Sequence, residues 1–105
     1  MSSKEQIAMV TPKLYRESGE KKFRNRFMLL YPNFIKKLRE AVPAVTRSEE
    51  ILCMLIILDQ STEQMIDILC ISRNSINMTR HRLRRKMDLD RNDTLEEKIK
   101  DLLQE

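Results

Sequence analysis

The chain has 105 residues, a formal net charge of +4, and a composition that is 41% hydrophobic and 34% charged. This length suits one domain with a modest core. The sequence contains a single Gly and three Pro, and no useful stretch alternates between apolar and polar residues, which argues against a β-sheet. We therefore expect an all-α fold.

The same composition excludes several classes of function. Two cysteines and one His cannot supply the four ligands of a structural metal site, so no metal or cofactor is expected. Cys53 and Cys70 lie in apolar surroundings, which favours free thiols over a disulfide. The longest apolar run, residues 51–58, is too short to span a bilayer, so we expect a cytoplasmic protein without a membrane partner. No motif places a nucleophile or a carboxylate beside His81, so an enzyme is not expected.

Positive charge is unevenly distributed along the chain. Residues 1–43 carry ten Lys and Arg against four acids, and residues 71–91 carry seven against two. The segments 44–70 and 92–105 are both net negative. Two separate basic regions in a chain of modest net charge are typical of a protein that binds a polyanion.

The first 43 residues divide into two parts. The sequence predicts a flexible N-terminal arm over residues 1–19. Residues 20–43 predict an N-terminal helical segment, with one helix to about Leu30 and a second that starts near Pro32, a residue suited to the first helical position, and stops at Pro43. Large apolar residues recur along this segment at helical spacing and form what we call the seam: Phe23, Phe27, Leu30, Phe34 and Leu38. We expect the seam to cover the next helix; contact with a second copy is the alternative.

The next helices are predicted by their capping signals. Thr46 and Glu49 have the spacing of a capping box and open a helix over about 47–58 that is apolar nearly all round. Ser61 or Thr62 then caps a short helix over about 62–69. The inward-facing residues of that helix are expected to be Met65, Ile66 and Leu69.

The most informative stretch is residues 72–87, where Ser72 is the predicted N-cap of a basic helix. At 100° per residue, Ile76, Leu83 and Met87 share one narrow face. The opposite face is polar and carries Asn74, Met78, His81 and Arg85. A second capping box at Thr94 and Glu97 opens a last helix, whose apolar face carries Leu95, Ile99, Leu102 and Leu103.

A short helix, a turn of about three residues and a basic second helix together indicate a helix-turn-helix. A helix that is apolar on one side and carries amides and guanidiniums on the other is suited to the major groove of DNA. Those groups can make bidentate hydrogen bonds to base edges, while cations on the flanks meet phosphates. Helix N-termini near residues 62 and 73 offer further amides to phosphates.

From Val45 to Leu89 the chain resembles the LuxR-type (GerE) helix-turn-helix domain without a gap. The family's opening Leu-Thr-x-x-Glu corresponds to Val45-Thr46-Arg47-Ser48-Glu49, and its Leu-x-Ile-Ser to Leu69-Cys70-Ile71-Ser72. The recognition-helix elements correspond to Ser75-Ile76-Asn77 and Leu83-Arg84-Arg85-Lys86-Met87. Two departures are Ile66, where the family usually has Ala and two helices approach closely, and Asn77, where a basic residue is usual.

The resemblance implies a domain of four helices, here residues 44–105, whose third helix enters the major groove and whose fourth often contributes to a dimer. Its base-facing positions map to Asn77, Met78 and His81. With the helical wheel added, the expected base contacts are Asn74, Asn77, Met78, His81 and Arg85. The expected phosphate contacts are Thr46, Ser61, Thr62, Arg73, Ser75, Arg82, Arg84 and Lys86. The expected dimer contacts are Leu95, Ile99, Leu102 and Leu103.

These residues favour a sequence-specific transcriptional regulator, or the output domain of one. Its partner would be double-stranded DNA, bound by a homodimer that DNA strengthens, with RNA polymerase as a further candidate partner. Two alternatives stay open. One is a protein-interaction module that keeps the helix-turn-helix fold without binding DNA. The other is a domain similar to region 4 of a sigma factor, which would bind promoter DNA and polymerase.

Overall fold

The computed structural model describes residues 12–104, with side chains from Gly19 onward. This part of the chain contains six α-helices and no strand, which confirms the all-α prediction. The helices are α1 (Pro12–Leu30), α2 (Phe34–Ala41), α3 (Arg47–Ile57), α4 (Thr62–Leu69), α5 (Arg73–Lys86) and α6 (Leu95–Asp101). Within the described residues, no helix combines the length and the hydrophobicity needed to cross a membrane.

Helix α1 consists of two helical stretches joined across a kink at Gly19, so the second stretch starts after Gly19, as predicted, while residues 12–18 of the predicted arm are helical. The backbone bends at Gly19, which has a φ of 79° and a ψ of 170°. A Cβ atom at this position would meet open space, so the backbone conformation, rather than close packing, is what favours glycine. The predicted flexible arm falls partly on residues 1–11, which lie outside the described residues.

The connection between α1 and α2 places Pro32 in a turn. The Phe34 amide donates to the Tyr31 carbonyl at 3.2 Å, and Asn33 is the N-cap of α2. The prediction that Pro32 occupies the first helical position is therefore wrong, because the turn needs two further residues before α2 begins. The second helix ends at Ala41, ahead of Pro43 as predicted. The ring of a proline disfavours helical backbone at the residue before it.

One hydrophobic core joins all six helices, with α3 at its centre. Every residue from Ile51 to Leu58 is buried. The seam covers this helix, as predicted: Phe23, Phe27, Phe34 and Leu38 are buried, and Leu30 packs against the same core. The N-terminal helices are thus part of the core that supports the rest of the chain.

Two buried glutamates at the start of α3 tie distant helices together. Glu49 accepts hydrogen bonds from Lys86 Nζ, at 2.8 Å to Oε1 and 3.0 Å to Oε2, and from the Thr46 amide at 2.8 Å. Burial alone would raise the pKa of the Glu49 carboxyl, but the hydrogen bonds and charge of Lys86 and the bonds to Thr46 hold it below its usual value. This ion pair fixes the C-terminal end of α5 against the N-terminal end of α3.

Glu50 makes the corresponding connection to the N-terminal helices. Its carboxylate accepts from Arg39 Nε at 2.7 Å and from Arg24 Nη1 at 3.0 Å, so α1, α2 and α3 meet at one charge cluster. Burial acts to raise the pKa of Glu50, but the two arginines outweigh it and keep the pKa lowered. The carboxylate is therefore ionised and fully paired.

The local signals around α4 and α6 are mostly confirmed. Ser61 and Gln64 form a capping box at the start of α4. At the start of α6 the Thr94 hydroxyl accepts from the Glu97 amide, which is one of the two bonds of the predicted capping box. In α4 the buried residues are Met65 and Ile68, whereas the predicted Ile66 and Leu69 are only partly buried. Both cysteines are free as predicted, but only Cys53 is buried. Cys70 is exposed because it ends α4 in a left-handed conformation, with a φ of 55°.

Candidate nucleic-acid interface

Helix α5 separates an inner apolar face from an outer polar face. Ser72 caps the helix through a hydrogen bond from the Ser75 amide, as predicted. On the inner side Ile76, Thr79 and Leu83 are buried, while Met87 just beyond the helix is partly buried. All five predicted base-contacting residues are exposed: Asn74, Asn77, Met78, His81 and Arg85.

The outer face is also free of competing interactions. Asn74 Nδ2 makes only a long contact, 3.6 Å, to the sulfur of Met78. Among the described residues, the side chains of Asn77, His81 and Arg85 have no hydrogen-bond partner. An amide, an imidazole and a guanidinium in this state can each bind a ligand without first breaking an internal bond.

Several predicted phosphate-contacting residues remain accessible around this face. Arg82 is exposed and donates only to Thr79 Oγ1, at 3.3 Å. Arg73 forms an ion pair with Glu63 in which both side chains are more than half exposed, so it can exchange partners at little cost.

The hydroxyl groups predicted to contact phosphates are those of Thr46, Ser61, Thr62 and Ser75. Thr46 and Ser61 accept capping bonds from backbone amides, Ser75 accepts from Ser72, and each of these hydroxyls keeps its own proton to donate.

Two of the predicted phosphate contacts are instead engaged within the fold. Arg84 donates to the carbonyls of Asp93 at 2.8 Å and Asp90 at 2.7 Å, which fixes the loop before α6. Lys86 donates to Glu49 and also to the Ala44 carbonyl at 2.8 Å. The sequence does not reveal these partners, because a helical wheel shows neither carbonyls nor carboxylates that distant segments bring to the flanks.

The predicted dimer contacts are corrected in the same way. Leu95 and Ile99 are 1% and 0% exposed and belong to the core of the single chain, so they are not available to a second copy. Leu102 is partly buried against this core. Leu103 is the exposed member of the set, at 37%. An amphipathic helix has only one apolar face, and in α6 this face packs into the core of its own chain.

The departure at Ile66 is accommodated by the packing of α4. This helix packs against both α1 and α5, and Ile66 lies half-buried against the core. The larger side chain therefore has apolar neighbours and is not forced into solvent.

A second basic feature, which the sequence did not reveal, lies at the start of α3. A cavity of about 430 Å³ is lined by Arg24, Arg39, Val45, Arg47 and Glu50. The arginines come from three different helices, separated by up to 23 residues in sequence. No periodic pattern connects them, and the adjacent acids Glu49-Glu50 are the only local sign that cations converge here.

Comparisons with protein-family models, with curated protein sequences and with solved structures give no match. The functional interpretation of this surface therefore depends on its geometry and on the charges and hydrogen-bonding groups that it exposes. In the described part of the chain, no three His, Cys, Asp or Glu side chains are grouped so as to hold a metal ion.

Proposed function

We propose that the protein is a sequence-specific, duplex-DNA-binding transcriptional regulator, or the output domain of one, with α5 as the helix that enters the major groove. The observation that carries this proposal is the outer face of α5. Asn77, His81 and Arg85 are exposed and unpartnered there, while the inner face is anchored in the core. The resemblance of residues 45–89 to the LuxR-type helix-turn-helix implies the same orientation of α5.

Each exposed group has a chemical role in this proposal. Asn77 can hydrogen-bond the N6 and N7 edge of adenine, and Arg85 the O6 and N7 edge of guanine. His81 can contact a base edge or a phosphate in the same groove. Arg73 and Arg82 flank the helix, where sugar-phosphate contacts set the register without reading sequence. RNA polymerase remains a candidate partner for a regulator bound in this way.

One observation favours the interaction module as a second candidate. At the end of α1, Leu29 is 81% exposed and Met28 is 45% exposed, although Phe23 and Phe27 of the same helix are buried in the core. Exposed neighbouring apolar side chains can be part of a protein contact. The two candidates differ in a simple respect, because a module that only binds protein has no reason to bind duplex DNA with a steep dependence on salt.

The proposal predicts salt-dependent binding to duplex DNA. With Arg73, Arg82 and the helix-end donors meeting about three phosphates, the log–log slope of affinity against salt should be roughly −3. Fluorescence anisotropy of a labelled duplex at several salt concentrations measures this slope. Arg85→Ala should weaken binding, while Arg26→Ala, which removes an equally exposed cation from α1, should leave it nearly unchanged. A chain that does not bind any duplex at low salt would instead favour the interaction module.

A homodimer strengthened by DNA remains part of the proposal, because one recognition helix reads few base pairs. The buried positions of Leu95 and Ile99 leave Leu103 as the apolar group of the C-terminal region that a second copy can contact. Sedimentation equilibrium should show a weak dimer that Leu103→Glu disrupts without loss of helix content. Glu97→Gln, at an exposed position of α6, is the control. A dimer that survives Leu103→Glu would place the contact elsewhere, with Met28 and Leu29 as the next candidates.

A further inference from the structure

The three-arginine cavity at the start of α3 is not explained by the stability of the fold alone. Glu50, at its base, is 4% exposed and is already paired by Arg24, whose side chain is only 15% exposed. Arg39 and Arg47 add two further cations whose side chains are 61% and 71% exposed. Arg39 and Arg47 each use only part of the guanidinium in these ion pairs, so the remaining donors are available to a ligand.

The hydrogen bonds show which donors remain. Arg39 uses Nε and Nη2 on Glu50, and Arg47 uses Nε on Glu20. Within the described residues, Nη1 of Arg39 and both Nη groups of Arg47 have no partner. Glu20 and Glu50 supply two negative charges against three positive ones, and the first amides of α3 add partial positive charge at the same place. The cavity therefore suits an anion.

The position of the cavity relative to α5 suggests which anion. Lys86, in the last turn of α5, donates to the Ala44 carbonyl at 2.8 Å and to Glu49, so the start of α3 lies directly beside the C-terminal end of α5. When a helix lies in the major groove, the protein segments beside its ends meet the sugar-phosphate backbone. An anion-binding cavity beside this end of α5 is therefore suited to a phosphate of the backbone that flanks the groove.

We propose that the cavity lined by Arg24, Arg39 and Arg47 binds a backbone phosphate of the duplex, so that α1 and α2 form part of the DNA interface. Arg39 and Arg47 donate to the phosphate oxygens, and Arg24 holds Glu50 in place beneath them. This inference rests on the proposed function and deepens it, because it extends the contact beyond α4 and α5 to the N-terminal helices. The phosphate carries no sequence information, so the cavity contributes affinity and register.

The test compares Arg47→Gln with Arg26→Gln in the intact chain. Both variants lose one exposed arginine charge, but Arg26 lies on the opposite side of α1 from Arg24, since two residues turn a helix by about 200°. Arg47→Gln should weaken binding to selected and random duplexes alike, by about threefold or more at low salt, and should make the salt slope less negative by about 0.9. Adding Arg39→Gln should increase both effects, with circular dichroism confirming the fold. Arg26→Gln should change affinity by less than about twofold.

The outcomes separate this inference from the proposed function. If the wild type binds DNA and Arg47→Gln behaves like Arg26→Gln, the phosphate site is overturned and the role of α5 stands. If the wild type does not bind duplex DNA, both are overturned.

A titration with free inorganic phosphate gives a second test. Phosphate should shift the Arg47 and Ser48 amide resonances only weakly and without saturation below about 10 mM, because a single phosphate without the rest of the duplex binds weakly. Saturable binding of free phosphate at micromolar concentration would identify a small-anion site and contradict the assignment to DNA.

Discussion

Lys86→Met should destabilise the protein by about 3 kcal/mol, because it leaves the Glu49 carboxylate buried without its cation. Glu49 is 0% exposed, and Lys86 is the only side-chain cation bonded to it among the described residues. Urea unfolding followed by circular dichroism gives the free energy of unfolding. Arg85→Met, the adjacent exposed cation without a bonded partner, is the matched control and should change stability by less than about 0.5 kcal/mol.

The acid dependence of stability provides a second readout of the same pair. The pKa of Glu49 is lowered in the folded state, so the ion pair stabilises the fold above the unfolded-state pKa and loses this contribution as the pH falls through the folded-state pKa. The loss should therefore occur below about pH 4.3. Lys86→Met should reduce this acid dependence, since burial without the lysine no longer favours the ionised carboxyl. Equal stability of Lys86→Met and Arg85→Met at pH 7 would contradict the role given to the pair.

Phe27→Ala should have an effect of similar or greater size, about 3–5 kcal/mol, because it removes a fully buried ring from the shared core. Phe27 is 0% exposed and lies with its ring centroid 5.0 Å from that of Tyr31 and 5.6 Å from that of Phe34. Leu29→Ala is the matched control on the same helix. Its side chain is 81% exposed, and leucine and alanine have similar helix propensities, so the change should stay within about 0.5 kcal/mol.

This comparison also decides whether the N-terminal helices fold together with the rest of the chain. A single unfolding transition that moves as a whole in Phe27→Ala is expected for one core. A cost below about 1 kcal/mol, or a transition that splits in two, would show that α1 folds independently of α3 to α6, and that residues 44–105 support themselves.

The features that the sequence predicts most accurately are the helix caps and helix faces, which depend on residues close together in the chain. The caps at Thr46, Ser61 and Ser72 and the two faces of α5 follow from residues within one or two turns of each other, and the structure has each of them. The seam was also predictable, since large side chains at helical spacing must be covered. The helical stretch before Gly19 was not, because the non-helical backbone at this glycine separates it from the helix that carries the seam.

The errors concern side chains whose partners are distant in sequence. Lys86 and Glu49 are 37 residues apart, and Arg84 reaches two carbonyls in a loop that periodicity does not position. Helical spacing shows which face a residue occupies, but not whether that face meets solvent, its own core or a second copy. Helical spacing therefore places Leu95 and Ile99 on an apolar face without showing that this face is buried in their own core, and it does not reveal the cluster of arginines at the start of α3.

Reading of DNA sequence by α5 can be measured by fluorescence anisotropy on two duplexes of equal composition, one selected from random sequences by the protein and one scrambled. The wild type should prefer the selected duplex by about 100-fold or more at moderate salt. Asn77→Ala should lower this preference by roughly 5- to 100-fold while leaving affinity for the scrambled duplex nearly unchanged, because Asn77 contacts a base edge and not the backbone. Equal affinity of the wild type for both duplexes, or an equal loss on both in Asn77→Ala, would contradict insertion of α5 into the major groove.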